Sequence, residues 1–210
     1  MQVILLATEL QQKELLAKDC PEGMHITCIN HPGDVEKYSG ADVVMDLLFD
    51  HSAQRAEKLT ALVSSLIIVS SVILCKKDIP FQCVRINGWP GFLEKDEVEA
   101  FCEDPVLKEK TEELFSLFDK KPVWCPDTPG FIAPRVVAMI INEAWITLQE
   151  GIAEKEEIDT AMKLGTGYPY GPFEWGEKIG LDNIAGLLEK LAEVNGKYSP
   201  CNLLKSAATR

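Results

Sequence analysis

No apolar run in this 210-residue sequence reaches the roughly 18 residues that a membrane-spanning helix needs, so a membrane protein of that kind is not expected. Histidine is scarce, at three residues, and no two of the seven cysteines stand in C-x-x-C spacing. Clustered ligands of the zinc type are therefore missing. Positive charge is also short: 21 Lys and Arg face 33 Asp and Glu, a net charge of −12. An acidic surface repels phosphate backbones, which argues against nucleic-acid binding. An anionic ligand would need a local basic or helix-end site. The run Met1–Leu6 lacks the basic region and small-residue cleavage site of a signal peptide, and several cysteines lie in apolar surroundings. Reduced, buried thiols in a cytoplasmic protein are the expectation. Internal repeats and low-complexity segments are absent.

What is present is ordinary globular composition, 46% hydrophobic, enough for one compact domain or two small ones. The first 126 residues alternate short apolar runs with amphipathic stretches. Strands are predicted over 3–7, 25–29, 41–48, 66–74, 82–87 and 122–125, and helices over 10–18, 52–63 and 104–118. The last opens on Asp104-Pro105, an N-cap followed by proline in the first turn. Such alternation predicts a parallel sheet covered on both faces. After Asp127 the pattern is helical only: 131–151, 154–164, a turn-rich loop over 165–172, and a helix from about 182 to 194. The helix over 131–151 is apolar on most of its circumference and must be buried on more than one side. Two domains, 1–126 and 127–210, are predicted.

Between Asp127 and Asn183 the chain reads D-T-P-G-F-I-A-P-R, I-I-N-E-A, E-E-I-D-T-A-M-K-L-G-T-G-Y-P-Y-G-P-F-E-W and I-G-L-D-N. This order closely resembles the C-terminal domain of the 3-hydroxyacyl-CoA dehydrogenase family. The resemblance implies a truncated Rossmann-like sheet domain followed by the family's helical domain. It also implies NAD-linked oxidoreduction of a short-chain 3-hydroxyacyl-CoA, and a loop over Tyr168, Pro169, Gly171, Pro172 and Phe173 on the acyl-CoA side. A homodimer is expected, since the apolar long helix needs cover; a mixed dimer with a full-length relative is the alternative. Asn142 and Asp159 match family positions to which we assign packing roles.

Several positions depart from the family's chemistry. The first strand of the family is followed by G-x-G-x-x-G, whose glycines admit a pyrophosphate. Here the turn reads Leu5-Leu6-Ala7-Thr8-Glu9-Leu10, with no glycine, and Ile29 is followed by Asn30 rather than an acid. Asp50 stands where the family ends a strand on an acid. Ser70 or Ser71 takes the place of a substrate-contacting serine. The catalytic histidine of the H-F-F-N-P segment corresponds to Asn87, twelve residues before Glu99. A carboxamide does not titrate near neutral pH and cannot act as general base. The active-site asparagine of the G-F-I-x-N-R turn corresponds to Pro134, which a helix tolerates near its start. Glu99 is expected to be an exposed helix-start carboxylate. His51, beside Asp50 at a strand's C-terminal end, is the one histidine placed to substitute as base, with Asp50 favouring its protonated form. Intrinsic activity is expected to be weak or absent, and a non-catalytic acyl-CoA- or partner-binding module is the alternative to an active dehydrogenase.

Overall fold

A computed structural model describes residues 1–16, 23–31, 37–38, 40–62 and 65–209. Two compact units divide between Phe131 and Ile132, beyond the expected break at 126/127. The intervening segment stays with the sheet: Asp127 accepts the Lys76 N–H with both carboxylate oxygens (2.9 and 3.0 Å), and Gly130 N donates to Val72 O (2.8 Å).

The first unit holds one seven-stranded sheet in the order β2-β1-β3-β4-β5-β6-β7. Its strands are β1 (Gln2–Leu6), β2 (His25–Ile29), β3 (Val43–Asp46), β4 (Leu66–Ser70), β5 (Val84–Ile86), β6 (Glu97–Phe101) and β7 (Lys121–Trp124). All neighbours are parallel except β5 and β6. Helices α1 (Glu9–Leu15) and α3 (Pro105–Leu117) contribute Leu15, Leu114 and Phe115 to the core on one face; α2 (Ala53–Thr60) covers the other with Ala56 and Leu59. The parallel sheet with two covered faces is as expected from its apolar strands. All five residues of β4 are buried, as are all four of β3.

The strand predicted over 66–74 ends at Ser70, because the Ser71 hydroxyl turns back onto Leu74 O (2.9 Å). The expected ends of the helices over 10–18 and 52–63 fall partly outside the described residues. Strand β6 was not expected. Its surroundings, Glu94-Lys95-Asp96-Glu97, read as a polar connection, yet Val98 and Ala100 face inward and Arg85 and Ile86 pair with Phe101 and Ala100. Glu99 is therefore a half-buried strand residue, not an exposed helix start. Tertiary pairing overrides local polarity there.

The second unit contains α4 (Ala133–Gln149), α5 (Lys155–Thr166), α6 (Pro172–Ile179), α7 (Leu181–Ala192) and α8 (Asn202–Ala208). Helices α6 and α8 were not anticipated. Pro172 at the first turn of α6 fits its missing N–H, but eight residues are too few to show a period. Helix α4 packs against α6, α7 and α8, which accounts for its apolar circumference. Pro134 sits in its first turn, as expected. Asn142 ties α4 to the approach to α8: its Oδ1 accepts from Cys201 N (2.9 Å) and its Nδ2 donates to Ser199 O (3.2 Å). Among the described residues, no helix is long and apolar enough to cross a membrane.

Candidate functional site

The carboxyl ends of β3, β4 and β5 bring together most of the sheet-unit candidates. Asn87 follows β5 and is 3% exposed. Its Nδ2 donates to Glu99 Oε2 (3.2 Å), its N–H donates to Glu99 O (2.9 Å), and its Oδ1 accepts from Trp89 N (3.3 Å). The two residues matched by the twelve-residue spacing are thus in contact, although Glu99 was expected to be exposed, with an amide where the resemblance puts an imidazole. The amide donates to Glu99 and offers no group that changes charge near neutral pH.

Ser70 and Ser71 are both buried. The Ser71 hydroxyl is used on Leu74 O. Gly88 lies against Ser70, since a Cβ at Gly88 would come within 2.8 Å of Ser70 Cβ and Oγ. This close approach requires glycine at position 88 and covers the Ser70 hydroxyl.

Asp50 is exposed and turned to its own helix. It accepts the Ser52 N–H (2.9 Å), while Ser52 caps α2. Slight burial pushes its carboxyl up, but hydrogen bonds from Ser52 and the charge of Arg55 outweigh this and hold it below the usual carboxylate value. His51 has a positive φ of 60° and stacks edge-on against Phe49, with ring centroids 4.5 Å apart. Burial, and secondarily Arg85, lower its pKa against the pull of Asp50 and Asp78. The expected protonated imidazole is thereby corrected: desolvation of the half-buried ring outweighs the adjacent carboxylate. It is held as a neutral ring.

Two buried arginines were missed by sequence reasoning. Arg55 Nε pairs with Asp46 Oδ2 at 2.7 Å; their side chains are 3% and 0% exposed. Asp46 Oδ1 also takes the Leu48 N–H (3.1 Å). Arg85 is fully buried. Its Nε donates to Ser71 O (2.6 Å), one terminal nitrogen pairs with Asp127, and the other donates to Thr128 O (2.8 Å). Its guanidinium lies 4.1 Å from the Phe131 ring centroid. Burial lowers its pKa, opposed by Asp127. An arginine inside an apolar strand is a visible anomaly in the sequence, but its partner stands 42 residues away.

Among the described residues, the thiols buried in the sheet unit supply no nucleophile here. Burial raises Cys75, Cys102 and Cys125, and pushes Cys83 up to about 12, so these thiols stay protonated. Cys28 is exposed on β2 and Cys201 half-buried, whereas buried thiols were the expectation; Cys20 lies outside the described residues. Among the described residues, no group of three or more His, Cys, Asp or Glu side chains is placed to hold a metal.

NAD, implied by the resemblance, does not fit the residues after β1 in the usual mode. Thr8 caps α1, and a reciprocal pair closes the turn: Gln11 N donates to Thr8 Oγ1 (3.2 Å) and Thr8 N to Gln11 Oε1 (2.9 Å). Two amides of this turn, those of Thr8 and Gln11, are thus engaged, and Glu9 adds negative charge beside them. Past β2, Asn30 Oδ1 accepts from Gln12 Nε2 (3.2 Å), in place of a ribose-holding acid.

In the helical unit, Asp159 sets the corner before α6. Its Oδ1 and Oδ2 accept the N–H groups of Phe173 (2.8 Å) and Glu174 (3.1 Å). The Asp159 side chain packs so closely on Gly171 that no Cβ fits there. Gly171, Pro172 and Phe173 are buried in this unit, and Phe173 meets Trp145 at 5.3 Å. Tyr168 and Pro169 are exposed. Tyr168 and Tyr170 each stand 6.0 Å from Trp175, and Lys178 Nζ donates to the Tyr170 hydroxyl (2.7 Å).

Comparison with known proteins finds relatives of the helical unit. The family described as "3-hydroxyacyl-CoA dehydrogenase, C-terminal domain" matches residues 130–209. A 3-hydroxyadipyl-CoA dehydrogenase of Escherichia coli is 51% identical over 84 residues, covering 39% of this chain and 18% of the relative. A 3-hydroxybutyryl-CoA dehydrogenase of Bradyrhizobium diazoefficiens is 38% identical over 109 residues, 51% of this chain and 37% of the relative. The chain thus spans well under half of these curated relatives. The structure of (S)-3-hydroxybutyryl-CoA dehydrogenase from Ralstonia eutropha aligns with a TM-score of 0.69 at 23% identity, over 86% of this chain and 69% of that one. This similarity extends the shared fold to the sheet unit. Residues 130–209 thus match the C-terminal domain of the 3-hydroxyacyl-CoA dehydrogenase family, and the two curated relatives are dehydrogenases of 3-hydroxyacyl-CoA thioesters.

Proposed function

We propose that this chain is a 3-hydroxyacyl-CoA dehydrogenase relative that binds an acyl-CoA or a partner subunit and has little or no hydride-transfer activity by itself. The observation that carries this reading is the Asn87–Glu99 pair. Proton transfer by a positioned base contributes about 10²- to 10⁴-fold to rate, and neither an amide at position 87 nor a proline at 134 supplies it. The acyl-CoA side rests on the helical domain, whose relatives carry CoA-thioester substrates in their names. The apolar residues left exposed at the start of α4, Ile132 (58%) and Val136 (53%), support self-association as a homodimer. The six described cysteines are free thiols, which suits a reducing compartment such as the cytoplasm.

The test is a thermal-shift titration with CoA and acetoacetyl-CoA beside an NADH-oxidation assay with acetoacetyl-CoA. Ligand-induced stabilisation without turnover is expected. Saturable NADH consumption by the purified wild-type chain would refute the reading. Sedimentation of the same sample separates a homodimer from a monomer that awaits a longer relative.

A further inference from the structure

Strand β1 pairs with β2 on one side and β3 on the other. The winding of the sheet therefore reverses between β1 and β3, and the crevice outside the carboxyl ends at such a point is where open α/β sheets take ligands. In this chain, side chains of α1 span it. Gln11 is 3% exposed. Its Nε2 donates to Leu47 O (3.3 Å), just past β3, and to Gly88 O (2.7 Å), just past β5. Its Oε1 is taken by Thr8 N. Three residues on, along the same helix face, Glu14 is 5% exposed and accepts the Gly91 N–H with both oxygens (2.9 and 2.8 Å). Gly88 in turn rests on Ser70 and Leu47, where an added Cβ would meet atoms at 2.8 and 3.0 Å.

We propose that Gln11 and Glu14 form a polar clamp that shuts the switch-point crevice to dinucleotides, so that the sheet unit serves as a scaffold and not as a cofactor site. Three features converge on this. The hydrogen-bonding atoms that line the crevice are consumed by one another. The glycines at 88 and 91 serve the approach of protein segments rather than of a phosphate. Glu9 and Glu14 of α1 are negative and repel a pyrophosphate, while Lys13, the basic residue of this helix, is exposed to solvent. The clamp is independent of whether residue 87 can accept a proton, so it goes beyond the proposed function and can fail separately from it.

The experiment uses the full chain and needs no turnover. Amide hydrogen exchange is followed at Gly91, with Ile68 and Val69 of β4 as core references, and NADH binding is followed by energy transfer from tryptophan. The Gly91 amide is expected to be protected, and no saturable NADH binding is expected up to about 1 mM, the top of the usual substrate range. Glu14→Gln removes the charge while keeping the shape, and is expected to lower Gly91 protection about tenfold, the worth of a hydrogen bond to a charged group, with Ile68 and Val69 unchanged. Should Gln11→Ala fold poorly, Glu14→Gln still decides the matter. Free exchange at Gly91, unchanged protection in Glu14→Gln, or micromolar NADH binding by the wild-type chain would each overturn the proposal.

Discussion

Removing the Asp159 carboxylate isolates the corner that shapes the helical unit. Asp159→Ala takes away two acceptors at once. The Phe173 amide is buried and loses the carboxylate oxygen to which it donates, at a cost of about 1–3 kcal/mol for an unsatisfied buried donor. The Glu174 amide is partly buried, so water can reach it; losing the cap there costs about 1 kcal/mol. Together the penalty is about 2–4 kcal/mol. At about 1.4 kcal/mol per decade this lowers protection of core amides in the unit roughly 30- to 700-fold. The assay is native-state amide exchange at Leu187 and Leu188, both fully buried on α7. Asp159→Asn keeps one acceptor and should lose about half as much free energy. A loss of protection under about threefold for Asp159→Ala would refute the argument that this carboxylate holds α6. A cycle adds an independent check. The three atoms nearest to an added Cβ at Gly171 belong to the Asp159 side chain. Gly171→Ala should therefore cost less in an Asp159→Gly background than in the wild-type chain.

Two further outcomes follow from the sheet unit. Because the folded-state pKa of His51 is lowered from 6.5, the unfolded chain binds the proton more tightly. The stability contributed by the neutral ring is complete above pH 6.5 and is lost as pH falls towards the folded value. His51→Asn keeps a residue that tolerates positive φ and should flatten urea midpoints between about pH 5 and 7, the window in which histidine titrates; an unchanged slope would assign the effect elsewhere. Arg55→Met strands the Asp46 carboxylate and should cost about 3–5 kcal/mol in urea unfolding. Adding Asp46→Asn should recover most of that cost, and a double variant no more stable than Arg55→Met would contradict the reading.

The alternation of apolar strands with helices, the Asp104-Pro105 cap and the motifs from Asp127 to Asn183 determined the class of fold and the family resemblance of the helical unit in the sequence alone. Local chemistry suffices for these features: caps, turn glycines and buried strands are written within a few residues of one another. The twelve-residue spacing matched Asn87 and Glu99 to family positions, but it did not show that their side chains meet. Tertiary structure alone decided the rest. Glu99 lies in a strand because β5 and β7 flank it, and against its polar surroundings. His51 is neutral because burial, a property of the assembled core, outweighs the neighbouring Asp50. Gln11 and Glu14 look like solvated helix residues until the turn at 88–91 folds over them, 77 residues away in sequence. Such long-range pairings leave no local signature, since each partner by itself is an ordinary polar side chain whose role is set by what the fold lays against it.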